Sequence, residues 1–107
     1  MNDTRPKTIF CDIDGTLIKH YPPTTTAAKD HKPELLDGTL KKLLEWDKKG
    51  YTIILISGRR EGSRVVTEAQ LSELGIIYDK LILGIGGGKR YLINDRKPGG
   101  LEDYANA

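Results

Sequence analysis

Two aspartates separated by one residue follow a short apolar run near the start of the chain. Residues 9–11 are β-prone, Asp12 and Asp14 come directly after them, and Gly15 permits a turn because it lacks a Cβ. In an open α/β sheet, ligands bind at the carboxyl ends of the strands. Two carboxylates at such an edge repel each other unless a cation joins them or one takes a proton. The arrangement therefore predicts metal-assisted chemistry at the end of a buried strand.

An ordinary turn with solvated acids, or a calcium loop, is the alternative interpretation of this pattern. An EF-hand loop needs further acids and a bidentate glutamate downstream, and residues 17–19 (Leu-Ile-Lys) do not supply them. A turn accounts for Gly15, but it does not explain why an apolar strand runs straight into two acids. The chemical interpretation is therefore favoured.

Two later apolar runs also end in polar side chains. Residues 51–56 form a near-continuous apolar run that stops at Ser57, and residues 91–93 form another that stops at Asn94 and Asp95. Such runs are typical of strands buried on both faces of a parallel sheet. Because the carboxyl ends of parallel strands share one edge, we expect these side chains to converge with the two aspartates of the first strand.

The segments between the apolar runs predict two helices and a loop. One helix is expected from residue 33 to residue 50 and another over 61–74, since apolar residues recur there at helical spacing. Their predicted apolar faces are Leu36, Leu40, Leu43 and Leu44 in the first helix, and Val65, Val66, Ala69 and Leu74 in the second.

Residues 19–33, with three prolines and three threonines, predict a surface loop able to act as a flap over the site. Short strands are expected over 76–78 and 81–83. This order predicts a parallel α/β sheet with right-handed crossovers.

Length, charge and cysteine content narrow the class of protein. A chain of 107 residues predicts one domain over residues 1–107. With 17 basic and 15 acidic residues the net charge is only +2, so a strong attraction to polyanions is not indicated. The single cysteine, Cys11, has no partner for an internal disulfide, which suits a reducing compartment. No long apolar run or signal-peptide pattern is present, so a cytoplasmic location away from membranes is expected.

Three motifs resemble those of the haloacid dehalogenase (HAD) superfamily, whose members are mostly phosphatases and phosphotransferases. The run from Asp12 to Thr16 resembles its nucleophile motif, Ser57-Gly58-Arg59 its second motif, and residues 92–95 its acidic fourth motif. The resemblance implies a three-layer Rossmann-like (HAD-like) fold with a mostly parallel sheet. With 107 residues we expect a small capless member, without the cap domain that many members insert. The chain also resembles small bacterial or phage HAD proteins and, less closely, the phosphatase half of polynucleotide kinase-phosphatases.

The resemblance implies a role for each residue of these motifs. Asp12 would attack phosphorus and form an aspartyl-phosphate, and Asp14 would act as general acid and then general base. Ser57 would hydrogen-bond an oxygen of the transferring group. Mg²⁺ would be held by Asp12, by Asp95 and by the main-chain carbonyl of Asp14, offsetting the charge between nucleophile and phosphate.

Two positions depart from the family pattern. The lysine of the third motif has two candidates here, Lys89 and Lys80, of which Lys89 is favoured because it precedes the last predicted strand. The fourth motif often carries paired aspartates, and the first of them is Asn94 in this chain. We therefore expect weaker or altered magnesium binding, not its loss.

Basic residues follow Ser57 at the start of the second predicted helix. Gly58, Arg59 and Arg64 are candidate substrate-binding residues, with the arginines recognising a second anionic group of the substrate. The alternative is that these arginines form a solvated helix face, and the sequence favours neither interpretation.

The predicted function is a magnesium-dependent phosphatase acting on a small phosphorylated metabolite, such as a sugar phosphate. A nucleic-acid end phosphatase is one alternative, disfavoured by the modest charge and the lack of interleaved aromatic residues. Another is a weakly catalytic metal- or phosphate-binding accessory protein, suggested by Asn94 and the ambiguous lysine. A receiver-like phosphoacceptor, which would lack the acid–base role of Asp14, is the weakest alternative.

Overall fold

A computed structural model of the protein describes residues 4–28 and 30–95. The elements in chain order are β1 (Thr8–Asp12), α1 (Pro23–Thr26), α2 (Thr39–Lys48), β2 (Thr52–Ile56), α3 (Arg64–Glu73) and β3 (Lys80–Ile82), with a 3₁₀ turn over Glu61–Ser63 before α3. The strands form a parallel sheet in the order β1-β2-β3. Asp12 pairs with Ile56, and Ile56 pairs with Ile82, so the carboxyl ends of all three strands lie side by side. The predicted α/β class and parallel sheet are confirmed.

One face of the sheet carries the core and both longer helices. Cys11 of β1 and Leu55 of β2 point into a cluster that also contains Leu43 of α2 and Leu71 of α3. On the other face, Phe10 is 56% exposed. Right-handed crossovers that proceed in one direction across a sheet place their helices on the same side. The described residues therefore supply two of the three predicted layers, the sheet and one layer of helices.

Helix α2 begins at Thr39, so the prediction that it begins near residue 33 is wrong. Residues 34–36 run antiparallel to residues 17–19 and are held there by main-chain hydrogen bonds of 2.8 and 3.0 Å. Gly38 then adopts a φ of +84°, which interrupts a right-handed helix. The hydroxyl of Thr39 donates to the carbonyl of Leu17 at 2.7 Å, tying the start of the helix to the turn after β1.

The buried face of α3 differs from the predicted one. Val65, in the predicted apolar stripe, is 81% exposed, whereas Thr67, Gln70 and Leu71 are buried. The three buried positions recur at i, i+3 and i+4, so the predicted helical period is right. Of the predicted apolar residues, Leu74 packs against the core, whereas Val65 does not. Within the described ranges, no helix combines the length and the apolar character needed to cross a membrane.

Two predicted strands are not formed. Residues 76–78 have no strand partner, because the side chain and main chain of Asp79 bond the main chain of Ile53 at 2.7 and 2.8 Å and the ladder starts only at Lys80. Residues 91–93 carry no strand either, and their side chains are 60–92% exposed. The run follows three glycines, which favour an open chain. Asn94 and Asp95 therefore do not follow a strand of this sheet.

Candidate active site

Two of the predicted site residues stand at the carboxyl edge of the sheet. Asp12 is the last residue of β1 and pairs with Ile56, the last residue of β2, so Ser57 follows directly beside it. Ser57 is only 1% exposed, and its N–H donates to the carbonyl of Ile82 at 2.9 Å. Its hydroxyl accepts the N–H of Arg59 at 3.0 Å. The strand ends therefore bring Asp12 and Ser57 to one edge, as the sequence predicts.

A tight turn after β1 presents Asp14. The carbonyl of Ile13, whose side chain is fully buried, accepts the N–H groups of Leu17 at 2.9 Å and of Ile18 at 3.2 Å. Gly15 occupies the turn with a φ of +82°, a conformation that favours glycine, and its N–H donates to the carbonyl of Ile18 at 2.8 Å. The turn therefore fixes the main chain on both sides of Asp14.

The carboxylate of Asp14 is held by both arms of one guanidinium. Arg59 donates from Nε to Oδ2 of Asp14 at 3.0 Å and from Nη2 to Oδ1 at 2.8 Å. The side chain of Arg59 is 6% exposed and that of Asp14 is 22% exposed. A bidentate pair of this kind sets the orientation of the carboxylate as well as its position. Each oxygen of Asp14 keeps lone-pair capacity beyond its bond to the arginine.

The remaining side-chain hydrogen bonds of Arg59 go to α3. Its Nη1 donates to the hydroxyl of Thr67 at 3.1 Å and to Oε1 of Gln70 at 2.9 Å. The main-chain carbonyl of Arg59 accepts the N–H of Gly84 at 2.7 Å, which joins the loops after β2 and β3. Four of the five N–H bonds that a guanidinium offers are used inside the protein. The structure thus places Arg59 against Asp14, where it orients the carboxylate.

Arg64 is occupied by its own neighbours on the surface. It donates to Glu61 at 2.8 and 2.9 Å, to Glu68 at 3.3 Å and to the carbonyl of Leu81 at 3.1 Å. The hydrogen bond from Arg64 lowers the pKa of Glu61, and the same bond raises the pKa of Arg64. These contacts are those of an exposed ion-pair network beside the site.

Gly58 makes a close approach that a side chain would obstruct. A Cβ at this position would lie 3.2 Å from the carbonyl oxygen of Ile85, tighter than most such contacts. The N–H of Ile85 also donates to the carbonyl of Ser57 at 3.3 Å. Gly58 therefore lets the loop after β3 pack against the end of β2.

The cation beside Asp12 is one that sequence reasoning missed. Nη1 of Arg90 donates to Oδ1 of Asp12 at 2.9 Å, with side-chain exposures of 41% for the arginine and 32% for the aspartate. Among residues 4–28 and 30–95, the side-chain ammonium groups of Lys89 and Lys80 make no hydrogen bond or ion pair, whereas Arg90 makes both with Asp12. Arg90 follows Lys89 directly after a run of three glycines. The sequence therefore predicted the right loop but favoured the neighbouring residue.

The two polar residues of the fourth motif, Asn94 and Asp95, lie in an exposed segment without secondary structure. Asp95 is exposed, and the amide of Asn94 donates to its main-chain carbonyl at 3.4 Å. Within the described part of the chain, no group of three acidic, histidine or cysteine side chains could hold a metal ion. Mg²⁺ nevertheless needs few protein ligands, since it usually keeps several waters and shares one or two carboxylates with substrate phosphates. The hydrogen bond from Arg90 goes to Oδ1 of Asp12, so the Oδ2 atom fits as such a carboxylate ligand.

Cys11 is a structural neighbour of the site. Burial raises the pKa of its thiol, and the charge of Asp12 raises that pKa further. The Sγ atom lies 3.4 Å from the carbonyl of Asp12, to which the thiol donates. A thiol kept protonated and 7% exposed is a weak nucleophile, so Cys11 serves as part of the core.

Comparison with known proteins gives a family match over most of the chain. Residues 1–92 match the model of the HAD superfamily, subfamily IIIB (acid phosphatase). Comparison with the sequences of curated proteins gives no match.

Solved structures of similar fold include a chain of a protein complex and two further proteins. A chain of the Pnkp1/Rnl/Hen1 complex is 30% identical, with a TM-score of 0.65, and covers 84% of this chain and 32% of its own. A second structure describes that assembly as an RNA repair complex. This chain thus spans about a third of the length of that relative. A structural-genomics target from Vibrio cholerae (18% identity, TM-score 0.62, 85% of this chain and 81% of that one) shares the fold. The D,D-heptose 1,7-bisphosphate phosphatase from B. bronchiseptica, solved with magnesium and phosphate, also shares the fold (16% identity, TM-score 0.53, 87% of this chain and 58% of that one).

Proposed function

Since the chain belongs to the HAD superfamily, subfamily IIIB (acid phosphatase), we propose that it is a magnesium-dependent phosphatase of a small phosphorylated metabolite, such as a sugar phosphate. The observation that carries the proposal is the pair of aspartates at the carboxyl edge of the sheet. Asp12 ends β1 beside Ser57, and Asp14 is held in one orientation by the bidentate bond from Arg59. A nucleophile and an oriented carboxyl group two residues apart are what two-step phosphate transfer requires.

The proposed reaction proceeds in two balanced steps. In the first, a carboxylate oxygen of Asp12 bonds to phosphorus and the bond from phosphorus to the ester oxygen breaks, while Asp14 gives its proton to the leaving oxygen. In the second, water attacks phosphorus, Asp14 takes a proton from that water, and the bond from phosphorus to Asp12 breaks. Inorganic phosphate is released, and both aspartates return to their starting protonation states.

Side chains around the two aspartates would hold the phosphoryl group. The hydroxyl of Ser57, which follows the strand residue beside Asp12, would donate to one of its oxygens, and Arg90 is a cation that already reaches Asp12. We therefore favour Arg90 over Lys89 as the cation that faces the phosphate. Gly58 stays a proposed part of the substrate-binding loop through its close packing on Ile85.

Asp12, with the main-chain carbonyl of Asp14, would hold the magnesium ion, and Asp95 stays a predicted third ligand. When bound, Mg²⁺ would reduce the repulsion between an anionic nucleophile and an anionic phosphate. A cytoplasmic location also stays a prediction, supported by the single unpaired cysteine.

A nucleic-acid end phosphatase is the second candidate function. It is supported by the 30% identity to a chain of the Pnkp1/Rnl/Hen1 complex. A substrate panel that includes a 3′-phosphorylated RNA, a 5′-phosphorylated RNA and a hexose phosphate separates the two candidates. Higher kcat/KM on the sugar ester supports the first, and higher kcat/KM on an RNA end replaces it with the second.

The deciding experiment measures hydrolysis of an aryl phosphate by the wild type, by Asp12→Asn and by Asp47→Asn. The last variant is a matched control, because it makes the same change at an exposed position on α2. For the wild type we expect turnover that EDTA abolishes and that added Mg²⁺ restores. We expect the rate of Asp47→Asn to equal that of the wild type and the rate of Asp12→Asn to be lower by at least about a thousandfold. Equal rates for Asp12→Asn and the wild type would remove Asp12 as the nucleophile and overturn the proposal.

A further inference from the structure

Gln70 is a buried polar residue whose side-chain hydrogen bonds go to Arg59, which orients Asp14, and to the main chain of Thr26. It lies on α3 and is 5% exposed. Its Oε1 accepts Nη1 of Arg59 at 2.9 Å, and its Nε2 donates to the main-chain carbonyl of Thr26 at 3.1 Å. One amide therefore joins the guanidinium on Asp14 to the turn α1.

The chemistry of its partners allows only one orientation of this amide. A guanidinium only donates and a main-chain carbonyl only accepts, so the oxygen must face Arg59 and the NH₂ must face Thr26. An ionised glutamate could accept from Arg59 but would have nothing to donate to Thr26. Methionine could serve neither partner. Glutamine is thus the side chain of this length that satisfies both ends.

The partner at the far end belongs to the proline- and threonine-rich segment 19–33. This segment is closed at its base by the N–H of Lys19, which donates to the carbonyl of Glu34 at 2.8 Å. At its middle, Thr26 is 7% exposed, and its carbonyl is the acceptor for Gln70. The segment is therefore anchored at its base and again at α1, and the second anchor leads directly to Arg59.

We propose that Gln70 is a positioning residue that couples the 19–33 segment to the acid–base group Asp14 through Arg59. The inference rests on the proposed function for its kinetic consequence but not for its geometry. With Gln70 in place, Nη1 of Arg59 is held by two acceptors on α3, which leaves Nε and Nη2 aimed at Asp14. Without Gln70, the guanidinium keeps only Thr67 on that side and gains freedom to turn.

A loss of positioning has a kinetic signature that a loss of folded protein does not have. Nitrophenolate departs from phosphorus without needing a proton, so with p-nitrophenyl phosphate Asp14 is required only for the attack of water on the phosphoenzyme. Misplacing Asp14 then slows the second step alone, so kcat and KM fall together, kcat/KM is preserved and a burst of nitrophenol precedes steady state. A smaller folded fraction lowers kcat, leaves KM unchanged and produces no burst.

The experiment compares the wild type, Gln70→Met, Gln70→Glu and Ser72→Ala, the last being an exposed control on the same helix. For Gln70→Met we expect kcat on p-nitrophenyl phosphate to fall about tenfold or more, with a parallel fall in KM and a burst. On glycerol 2-phosphate, whose alkoxide needs a proton to leave, we expect kcat/KM of Gln70→Met to fall, whereas on p-nitrophenyl phosphate it is preserved. Ser72→Ala behaves as the wild type. If Gln70→Met keeps the wild-type kcat and KM while Asp12→Asn is inactive, the positioning role is overturned and the phosphatase proposal stands.

A measurement without substrate keeps the inference testable if the wild type hydrolyses neither ester and the proposed function fails. NMR exchange of the Arg59 Nε–H with solvent reports how firmly the guanidinium is held on Asp14. We expect slow exchange in the wild type and fast exchange in Gln70→Met. In Gln70→Glu we expect the Arg59 proton to stay protected while the main-chain N–H of Ala27, which closes the α1 turn, exchanges faster. Equal protection of both protons in all variants would overturn the coupling.

Discussion

At the scale of single residues, the two arginines near the aspartates do different work. Arg59 is buried and bonded through four N–H groups to Asp14, Thr67 and Gln70. Arg90 is partly exposed and makes a single bond to Asp12. The sequence predicted Arg59 near the site but could not choose between a solvated residue and a substrate ligand. The structure supports a third interpretation, a residue that orients another side chain.

The Arg59→Lys variant tests whether the fork of the guanidinium matters beyond its charge. A lysine keeps the charge but cannot bond both oxygens of Asp14 and also reach α3, so buried acceptors lose their donors. We expect a loss of about 1–3 kcal/mol in the free energy of unfolding for each acceptor left unpaired, and a fall in kcat of about tenfold or more. Urea unfolding and steady-state kinetics measure the two effects.

The matched control for Arg59→Lys is Arg64→Lys, which makes the same change in an exposed network of ion pairs. Glu61 and Glu68 are reached by solvent, and only the bond to the carbonyl of Leu81 is partly buried. We therefore expect the free energy of unfolding to change by at most about 1 kcal/mol and kcat to stay unchanged. If the two variants behaved alike, the bidentate contact to Asp14 would have no special role.

At the scale of elements, the sequence predicted those parts whose signal is local. The apolar run of β1 entering two acids, and the run of β2 ending at Ser57, were enough to place the edge of the sheet. The inner face of α3 was not predicted, because Thr67 and Gln70 are polar and become buried only by bonding a side chain from another loop. Polar residues that interrupt an apolar face at i and i+3 are the signal that could have found them.

The start of α2 was missed for a related reason. The leucine at position 36 fits a helical period, but the main chain there pairs with residues 17–19 instead. Residue 38 is a glycine with a positive φ. The sequence alone does not indicate this φ, because it depends on the pairing of the residues before it. Hydrogen bonds between distant segments decided the boundary, and propensity summed along one segment does not contain them.

Gly38→Ala tests whether this left-handed residue sets the start of α2. A Cβ built at Gly38 meets nothing within 4 Å, so the cost of the substitution comes from the φ of +84° and not from a clash. We expect the free energy of unfolding to fall by about 1–2 kcal/mol in urea titrations. Gly62→Ala is the control, since its Cβ also meets nothing within 4 Å and its φ is not positive; it should be neutral or slightly stabilising. Equal losses in both variants would contradict the role of the positive φ.

At the scale of the whole molecule, the described residues place their core on one side of the sheet. Leu71, fully buried on α3, and Leu43 on α2 cover the face that carries Leu55. The opposite face presents Phe10 and Ile82, which are 56% and 43% exposed. The carboxyl edge of the sheet, which carries the candidate site, is therefore covered by helices on one side only. Contacts between loops, such as the bond from Gly84 to the carbonyl of Arg59, also hold its main chain.

Leu71→Ala and Phe10→Thr test this one-sided arrangement. Removing a fully buried leucine leaves a cavity between α3 and the sheet, and we expect the free energy of unfolding to fall by about 2–5 kcal/mol. Threonine keeps the β propensity of the exposed position in β1, so Phe10→Thr should change that energy by less than about 1 kcal/mol. Urea unfolding at two protein concentrations measures both. A large loss at both concentrations for Phe10→Thr would show that this face is covered within the chain. A free energy of unfolding of the wild type that falls on dilution would show that a second copy covers it. Either result would replace the two-layer description, because the sheet would then be stabilised from both sides.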